Sequence, residues 1–227
     1  MNPAKRIVLI VQMRLDSTRL PGKALLPLAG GCMAQAVMRR LSSVRADQRV
    51  LATDADGAAA LGAMAASQGF AVFEGPKDDV LRRFALAASR HEAAYVVRAT
   101  GDNPLVSYEL ANALVEHGMQ TGADYAGYTG MPTGMGVEFI RAEALLTADE
   151  EADSAYDREH VCPYLYTHPK RFSVSRPPCP DAWRLPAASV TVDTALDYQR
   201  VTRIFDELGR DPSDARLMDW LRAEAGS

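Results

Sequence analysis

Ile7-Val8-Leu9-Ile10-Val11, followed at once by Gln12-Met13-Arg14-Leu15-Asp16-Ser17-Thr18-Arg19-Leu20-Pro21-Gly22-Lys23, is the stretch from which the fold is read. The first five residues are an unbroken apolar run rich in β-branched side chains, the composition of a strand buried on both faces of a parallel sheet. A polar loop leaving such a strand lies at the carboxyl edge, where open α/β sheets bind their ligands. Arg14, Arg19 and Lys23 share that loop with Ser17, Thr18 and a Pro21-Gly22 turn. Fixed cations, hydroxyl donors and a glycine that lets the backbone come close are what a triphosphate grip requires. On composition alone, a solvated basic loop is an equally weighted alternative. A P-loop is excluded, because Ser17 stands where its first glycine belongs and Ala24 follows the lysine.

Outward from this stretch, strand and helix signals alternate. Ala24 to Leu28 reads as a short extended piece before the Ala29-Gly30-Gly31 turn, and Met33, Val37, Leu41 and Val44 recur at helical spacing. Arg49 to Thr53 is the second strand. Asp56 is expected to cap an alanine-rich helix that stops at Gly69. Phe70 to Phe73 is the third strand, Gly75 to Asp79 opens the next helix, and Tyr95 to Val97 is the fourth strand, closed by Thr100-Gly101-Asp102. Four such alternations at short spacing predict right-handed βαβ units in a doubly wound, mostly parallel Rossmann-like sheet.

The second half is less regular. A helix is expected from Ser107 to about Met119 and strands at 124–127 and 137–141. The intervening 128–136 segment is rich in glycine and reads as a substrate-side loop. Ala142 to Glu151 is helical, Ala155 to Tyr166 helical with Pro163 disturbing it, 171–175 and 189–192 extended, and two helices finish the chain. We expect one domain over 1–227, with 128–187 as an acceptor-side or dimerisation excursion.

At 227 residues and 48% hydrophobic content the chain can bury one large core. Its net charge of -4 carries no nucleic-acid footprint, so the basic first loop is a local feature. The apolar run after Lys5 and Arg6 is too short for a secretory leader and nothing approaches a membrane span, so a cytoplasmic protein is expected. Cys32, Cys162 and Cys179 lack paired spacing and are expected to be reduced thiols.

The ordered motif Gln12-x-Arg14-x-x-Ser17-Thr18-Arg19-Leu20-Pro21-Gly22-Lys23 resembles the signature loop of the cytidylyltransferases that make CMP-activated sugar acids, and most closely the spore coat polysaccharide biosynthesis protein F type, related to the CMP-Kdo and CMP-neuraminate synthetases. Further resemblance runs through Val72 to Phe84, Thr100-Gly101-Asp102-x-Pro104-Leu105, Pro132 to Glu138, Asp157 to Tyr164 and Val192-Asp193-Thr194. It implies CTP and Mg²⁺ as ligands, a small-molecule acceptor, and a homodimer. Arg14, Lys23 and Asp102 are then the catalytic candidates, and Arg14, Ser17, Arg19, Lys23, Thr53, Asp79, Thr100 and Gly101 the nucleotide-binding ones. The acceptor falls to Glu138, Arg158 and His160, and the metal to Asp102 and Asp193. From residue type alone, Asp102 and Asp193 are equally good helix caps, and His160 an equally good structural histidine or acid-base. Gly136 and Ser189 stand where the family often has Asp and Arg, which leaves the acceptor class open between a sugar acid, a phosphonate and an alcohol.

Two rival readings remain. A nucleotide-sugar glycosyltransferase holds its metal with an Asp-x-Asp pair, here Asp54-Ala55-Asp56, which we read as helix capping. A non-catalytic nucleotide-binding protein would keep the first loop and lose acceptor chemistry.

Overall fold

A computed structural model describes residues 5–226; residues 1–4, the head of the leader-like start considered above, and residue 227 lie outside them. The strands are β1 (Ile7–Gln12), β2 (Pro27–Leu28), β3 (Gly31–Cys32), β4 (Gln48–Thr53), β5 (Ala71–Glu74), β6 (Tyr95–Thr100), β7 (Tyr125–Ala126), β8 (Glu138–Arg141) and β9 (Val174–Ser175). The helices are α1 (Met33–Leu41), α2 (Ala55–Ser67), α3 (Val80–Arg90), α4 (Tyr108–Thr121), α5 (Ala142–Glu151), α6 (Ala155–His160), α7 (Pro163–Thr167), α8 (Ala195–Leu208) and α9 (Asp214–Ala225).

Among the described residues, seven strands form one sheet in the order β5-β4-β1-β6-β8-β7-β9. β5, β4, β1 and β6 run parallel, and β8 is antiparallel to both its neighbours. This is the doubly wound, mostly parallel sheet expected from the alternation. The chain steps outward from β1 through β4 to β5, then returns to place β6 on the other side of β1. Crossovers therefore diverge between β1 and β6, which opens a crevice beyond their carboxyl ends.

The period of two along β1 explains the layers. Leu9 and Val11 pack with α1, α2 and α4 on one face, and Val8 and Ile10 with α3 and α5 on the other. Each is fully buried, which is why the run contains no polar residue. A third cluster packs α8 and α9 against Met33, Leu105, Val190 and Val192, bringing the end of the chain to the β1/β6 edge.

Several local expectations are corrected. Asp54, not Asp56, caps α2: its backbone is extended and its side chain accepts from Gly57 N at 2.9 Å. The piece after Lys23 is a 3-10 turn over Lys23–Leu25 before β2, because Gly22 at φ 66 turns the chain over. The stretch 189–192 forms one isolated bridge, Thr133 with Ser189, since Val190 and Val192 are buried under α8 and α9 and Val192 N bonds Asp102 O instead of a strand. The helix expected over 155–166 breaks between α6 and α7. Val161 adopts φ 72, ψ -58, and Cys162 N bonds His160 O at 2.9 Å, a γ-turn rarely taken by a β-branched residue. Pro163 then starts α7, where its missing N–H is no loss. The strand expected over 171–175 shortens to β9.

Candidate active site

A cavity of about 520 Å³ opens beyond the carboxyl ends of β1 and β6. Its lining includes Arg14, Ser17, Arg19 and Lys23 from the first loop, Thr100, Gly101 and Asp102 from the end of β6, His160 from the end of α6, and Asp193 from before α8. The β1/β6 register sets Gln12 beside Thr100, and Gly101 N bonds Gln12 O at 2.8 Å, so the two loops leave the sheet side by side. A Cβ on Gly101 would stand 2.1 Å from Met13 Cγ and 2.8 Å from Gln12 O, which explains the glycine at this crossing.

Lys23 lies at the centre. Its Nζ donates to Val192 O at 2.6 Å and to Asp193 Oδ1 at 3.0 Å, and stands 3.8 Å from Asp102 Oδ2. Arg19 pairs with the same Asp193 oxygen at 3.2 Å. Neither aspartate is spent on capping. Ser107 caps α4 by accepting from Leu110 N, and Thr194 caps α8 by accepting from Asp197 N. Asp197 reciprocates through Oδ2, accepting from Asp193 N, Thr194 N and the Thr194 hydroxyl, and so fixes the turn that presents Asp193.

Arg14 reaches over the cavity mouth. It donates to Lys77 O at 3.3 Å and lies 3.7 Å from Asp16 and 3.9 Å from Glu159. Lys77 pairs with Asp16 at 3.1 Å, and that hydrogen bond holds the Asp16 carboxyl below its ordinary range. Ser17 shapes the loop by accepting from Leu20 N at 3.4 Å.

Asp102 Oδ1 is buried with no hydrogen-bond partner, an orphaned carboxylate oxygen, while Asp102 Oδ2 and Asp193 Oδ1 face the same Lys23 Nζ. Among the described residues no group of three or more His, Cys, Asp or Glu forms a metal cage. Two carboxylates without a cage fit a hard divalent ion that completes its shell with phosphate oxygens and water.

A protein-family model for cytidylyltransferases matches residues 8–210. The chain belongs to the cytidylyltransferase family. It is 32% identical over 213 residues to the spore coat polysaccharide biosynthesis protein SpsF of Bacillus subtilis, covering 91% of this chain and 89% of that protein. A cytidylyltransferase structure from Leptospira borgpetersenii superposes with a TM-score of 0.89 at 23% identity, over 98% of this chain and 96% of that one. A CMP-2-keto-3-deoxy-manno-octonic acid synthetase solved in complex with CTP superposes with a TM-score of 0.68 at 17% identity, over 89% and 99% of the two chains. At these identities the two superpositions speak to the fold alone.

In this cytidylyltransferase the remaining sequence candidates stand behind the cavity wall. Thr53 is fully buried and its hydroxyl donates to Met13 O at 2.7 Å, holding the start of the first loop. Asp79 caps α3 and pairs with Arg158 at 2.5 Å, while Arg158 also reaches Asp149 at 2.9 Å, tying α6 to α3 and α5. Glu138 sits opposite Arg98 across the β6/β8 ladder. One of its oxygens pairs with that arginine and the other accepts from Tyr125 at 2.8 Å. Asp54 and Asp56 are not among the lining residues.

Sequence reasoning missed Arg98, Gln12, Glu159 and Asp197. Arg98 lines the cavity and donates to Gln12 Oε1 at 3.1 Å. An arginine inside the apolar strand Tyr95-Val96-Val97-Arg98 was the signal available, since such a residue is seldom buried without a partner. The Thr194-x-x-Asp197 spacing was the signal for the capping pair.

Proposed function

We propose that this cytidylyltransferase transfers CMP from CTP to an acceptor and releases pyrophosphate. One observation carries the reading: three cations of the first loop share one cavity with Asp102 and Asp193, at the β1/β6 crevice. An acceptor oxygen attacks the α-phosphorus in line, the bond to the β-phosphate oxygen breaks, and the charge of the departing pyrophosphate falls to Arg14, Arg19 and Lys23. Positioning and charge neutralisation do the catalytic work, so no nucleophilic side chain is needed. Asp102 and Asp193 would hold a divalent ion, Mg²⁺ in our reading, which when bound supplies charge neutralisation on phosphate oxygens.

The acceptor would enter from the α6 side, past His160 and over Arg98. A sugar acid for surface glycan synthesis is the reading that the family resemblance favours, with a phosphonate or alcohol the alternative opened by Gly136 and Ser189. We further propose a cytoplasmic homodimer with one domain, whose 128–187 excursion serves the acceptor and the dimer. Pyrophosphate release tests the function, with Mg²⁺, each of the four nucleoside triphosphates, and a panel of sugar acids, phosphonates and sugar phosphates. Release that requires CTP and one acceptor is expected. Release with every triphosphate alike, or none while CTP fails to bind in calorimetry, would refute it.

A further inference from the structure

The proposed transfer places Lys23 at the phosphates, yet its ammonium is committed elsewhere. Its Nζ donates to Val192 O at 2.6 Å and to Asp193 Oδ1 at 3.0 Å, and stands at an ion-pair distance of 3.8 Å from Asp102 Oδ2. A compact cation surrounded by oxygen atoms at the meeting point of two carboxylates stands where a divalent ion would bind. We propose that Lys23 is an internal cation competing with the divalent metal for the Asp102–Asp193 pair, and that the triphosphate admits the metal by drawing the ammonium away. The inference rests on the CTP and metal reading above and adds a coupling between the two ligands.

Three features make the exchange workable. First, the aspartates do not depend on the lysine to stay together. Val192 N donates to Asp102 O at 2.8 Å, and the Asp197 carboxylate holds the Asp193 turn from behind. Second, only a side chain has to move. The Lys23 backbone is locked in its 3-10 turn by Lys23 N to Leu20 O and Leu26 N to Lys23 O, both 3.2 Å, while its four-carbon stem can swing toward the loop that carries Arg14 and Ser17. Third, the pair is not saturated, since Asp102 Oδ1 is buried and has no partner.

The charge count gives the direction of the coupling. Arg19 and Lys23 already pair with Asp102 and Asp193, so a divalent ion arriving alone would place two further positive charges beside two cations held in place. A triphosphate arriving alone would meet the cations but also both carboxylates. Arriving together, the two ligands offset each other and each cation finds a partner. Whatever the nucleotide does for the metal, the metal does equally for the nucleotide.

Manganese binding without nucleotide, followed by electron paramagnetic resonance of free Mn²⁺, tests this. Wild-type protein is expected to bind Mn²⁺ weakly, and Lys23→Met to bind it at least about tenfold more tightly. The gain should vanish in Lys23→Met combined with Asp193→Asn. Arg14→Gln removes a charge from the same cavity without touching either aspartate and is expected to change Mn²⁺ affinity less than about threefold. Equal affinity in wild type and Lys23→Met would overturn the proposal, as would a gain from Arg14→Gln matching that from Lys23→Met. If Lys23→Met does not fold, as read by thermal unfolding, Lys23→Arg and wild type decide: both should bind weakly, and tight binding to wild type without nucleotide overturns the competition. CTP titrated calorimetrically into wild type with Mg²⁺ present is a separate arm. Absence of CTP binding there would sink the proposed CMP transfer and leave the lysine–metal competition standing on the Mn²⁺ data.

Discussion

Arg40 Nη2 and Asp214 Oδ1 lie 2.7 Å apart, with both side chains 1% exposed, and join α1 to α9. Arg40 also donates to Val106 O, Pro212 O and Asp211, and Asp214 accepts from the Ser107 hydroxyl and from Trp183 Nε1. This network seats the C-terminal helices against the parallel core, and α8 carries the Thr194 cap beside Asp193. Replacing Arg40 by Met leaves a buried carboxylate with its charge partner gone. We expect a loss of about 3–5 kcal/mol in urea unfolding at neutral pH with an unchanged m-value. A loss below about 1 kcal/mol would show the pair to be dispensable.

Gly101 separates the two loops of the site. In Gly101→Ala the new methyl group meets Met13 and the Gln12 carbonyl, and the backbone oxygen cannot turn aside as a side chain would. The β6 exit, and Asp102 with it, must shift. We expect a stability loss of about 1–3 kcal/mol from overpacking, and a fall in pyrophosphate release greater than that loss would produce through unfolding alone. Folded protein with wild-type turnover would contradict the close approach.

Asp197 works through Asp193. Burial pushes its carboxyl upward, but hydrogen bonds from the Thr194 side chain and the Thr194 and Asp193 backbone more than reverse this, leaving it below its ordinary value. The linkage sign follows: its contribution to stability is present above the unfolded value near 3.8 and is lost as pH falls through the lower folded value. Asp197→Ala should cost about 1 kcal/mol at pH 7, the worth of a helix cap. The difference from wild type should shrink in acid, as read by thermal unfolding between pH 7 and pH 3. Because Asp193 loses its support, Mn²⁺ affinity in a Lys23→Met background should also drop.

Cys162 is fully buried, and burial, with Glu138 adding to it, raises its thiol well above the ordinary range. Unlike the aspartate, an acid held neutral loses stability upward in pH. The unfolded thiol ionises near 8.5 and the folded one does not follow, so the contribution falls as pH rises past the unfolded value. Iodoacetamide at pH 8 is expected to leave Cys162 unlabelled in native protein and to label it in urea. Rapid labelling of the native thiol, found by peptide mass analysis, would contradict its burial.

Lys23→Ala should reduce pyrophosphate release by well over about tenfold while the protein folds normally, the scale of losing a transition-state charge partner. Unchanged turnover would remove the lysine from the phosphate role.

The sequence by itself determined the sheet and the family whose signature loop follows its first strand. The apolar run Ile7–Val11 could be satisfied only by burial on both faces, and four strand–helix alternations allowed few topologies. Both signals are local, carried by periodicity and composition within a dozen residues. For the same reason, residue type left Asp102 and Asp193 as equal candidates for capping or metal binding, because either use places an aspartate just after a strand. Only the tertiary structure assigns the caps to Ser107 and Thr194 and brings Lys23, Asp102 and Asp193 together. Hydrogen bonds between residues 102 and 192, and α8 and α9 packing on Met33 and Leu105, decide that convergence. Contacts over such separations depend on how layers stack, which no short pattern encodes. The break at Val161 is of the same kind: propensity favoured a continuing helix, and burial of Val161 and Cys162 against the sheet holds the chain in a turn that isolated residues would avoid.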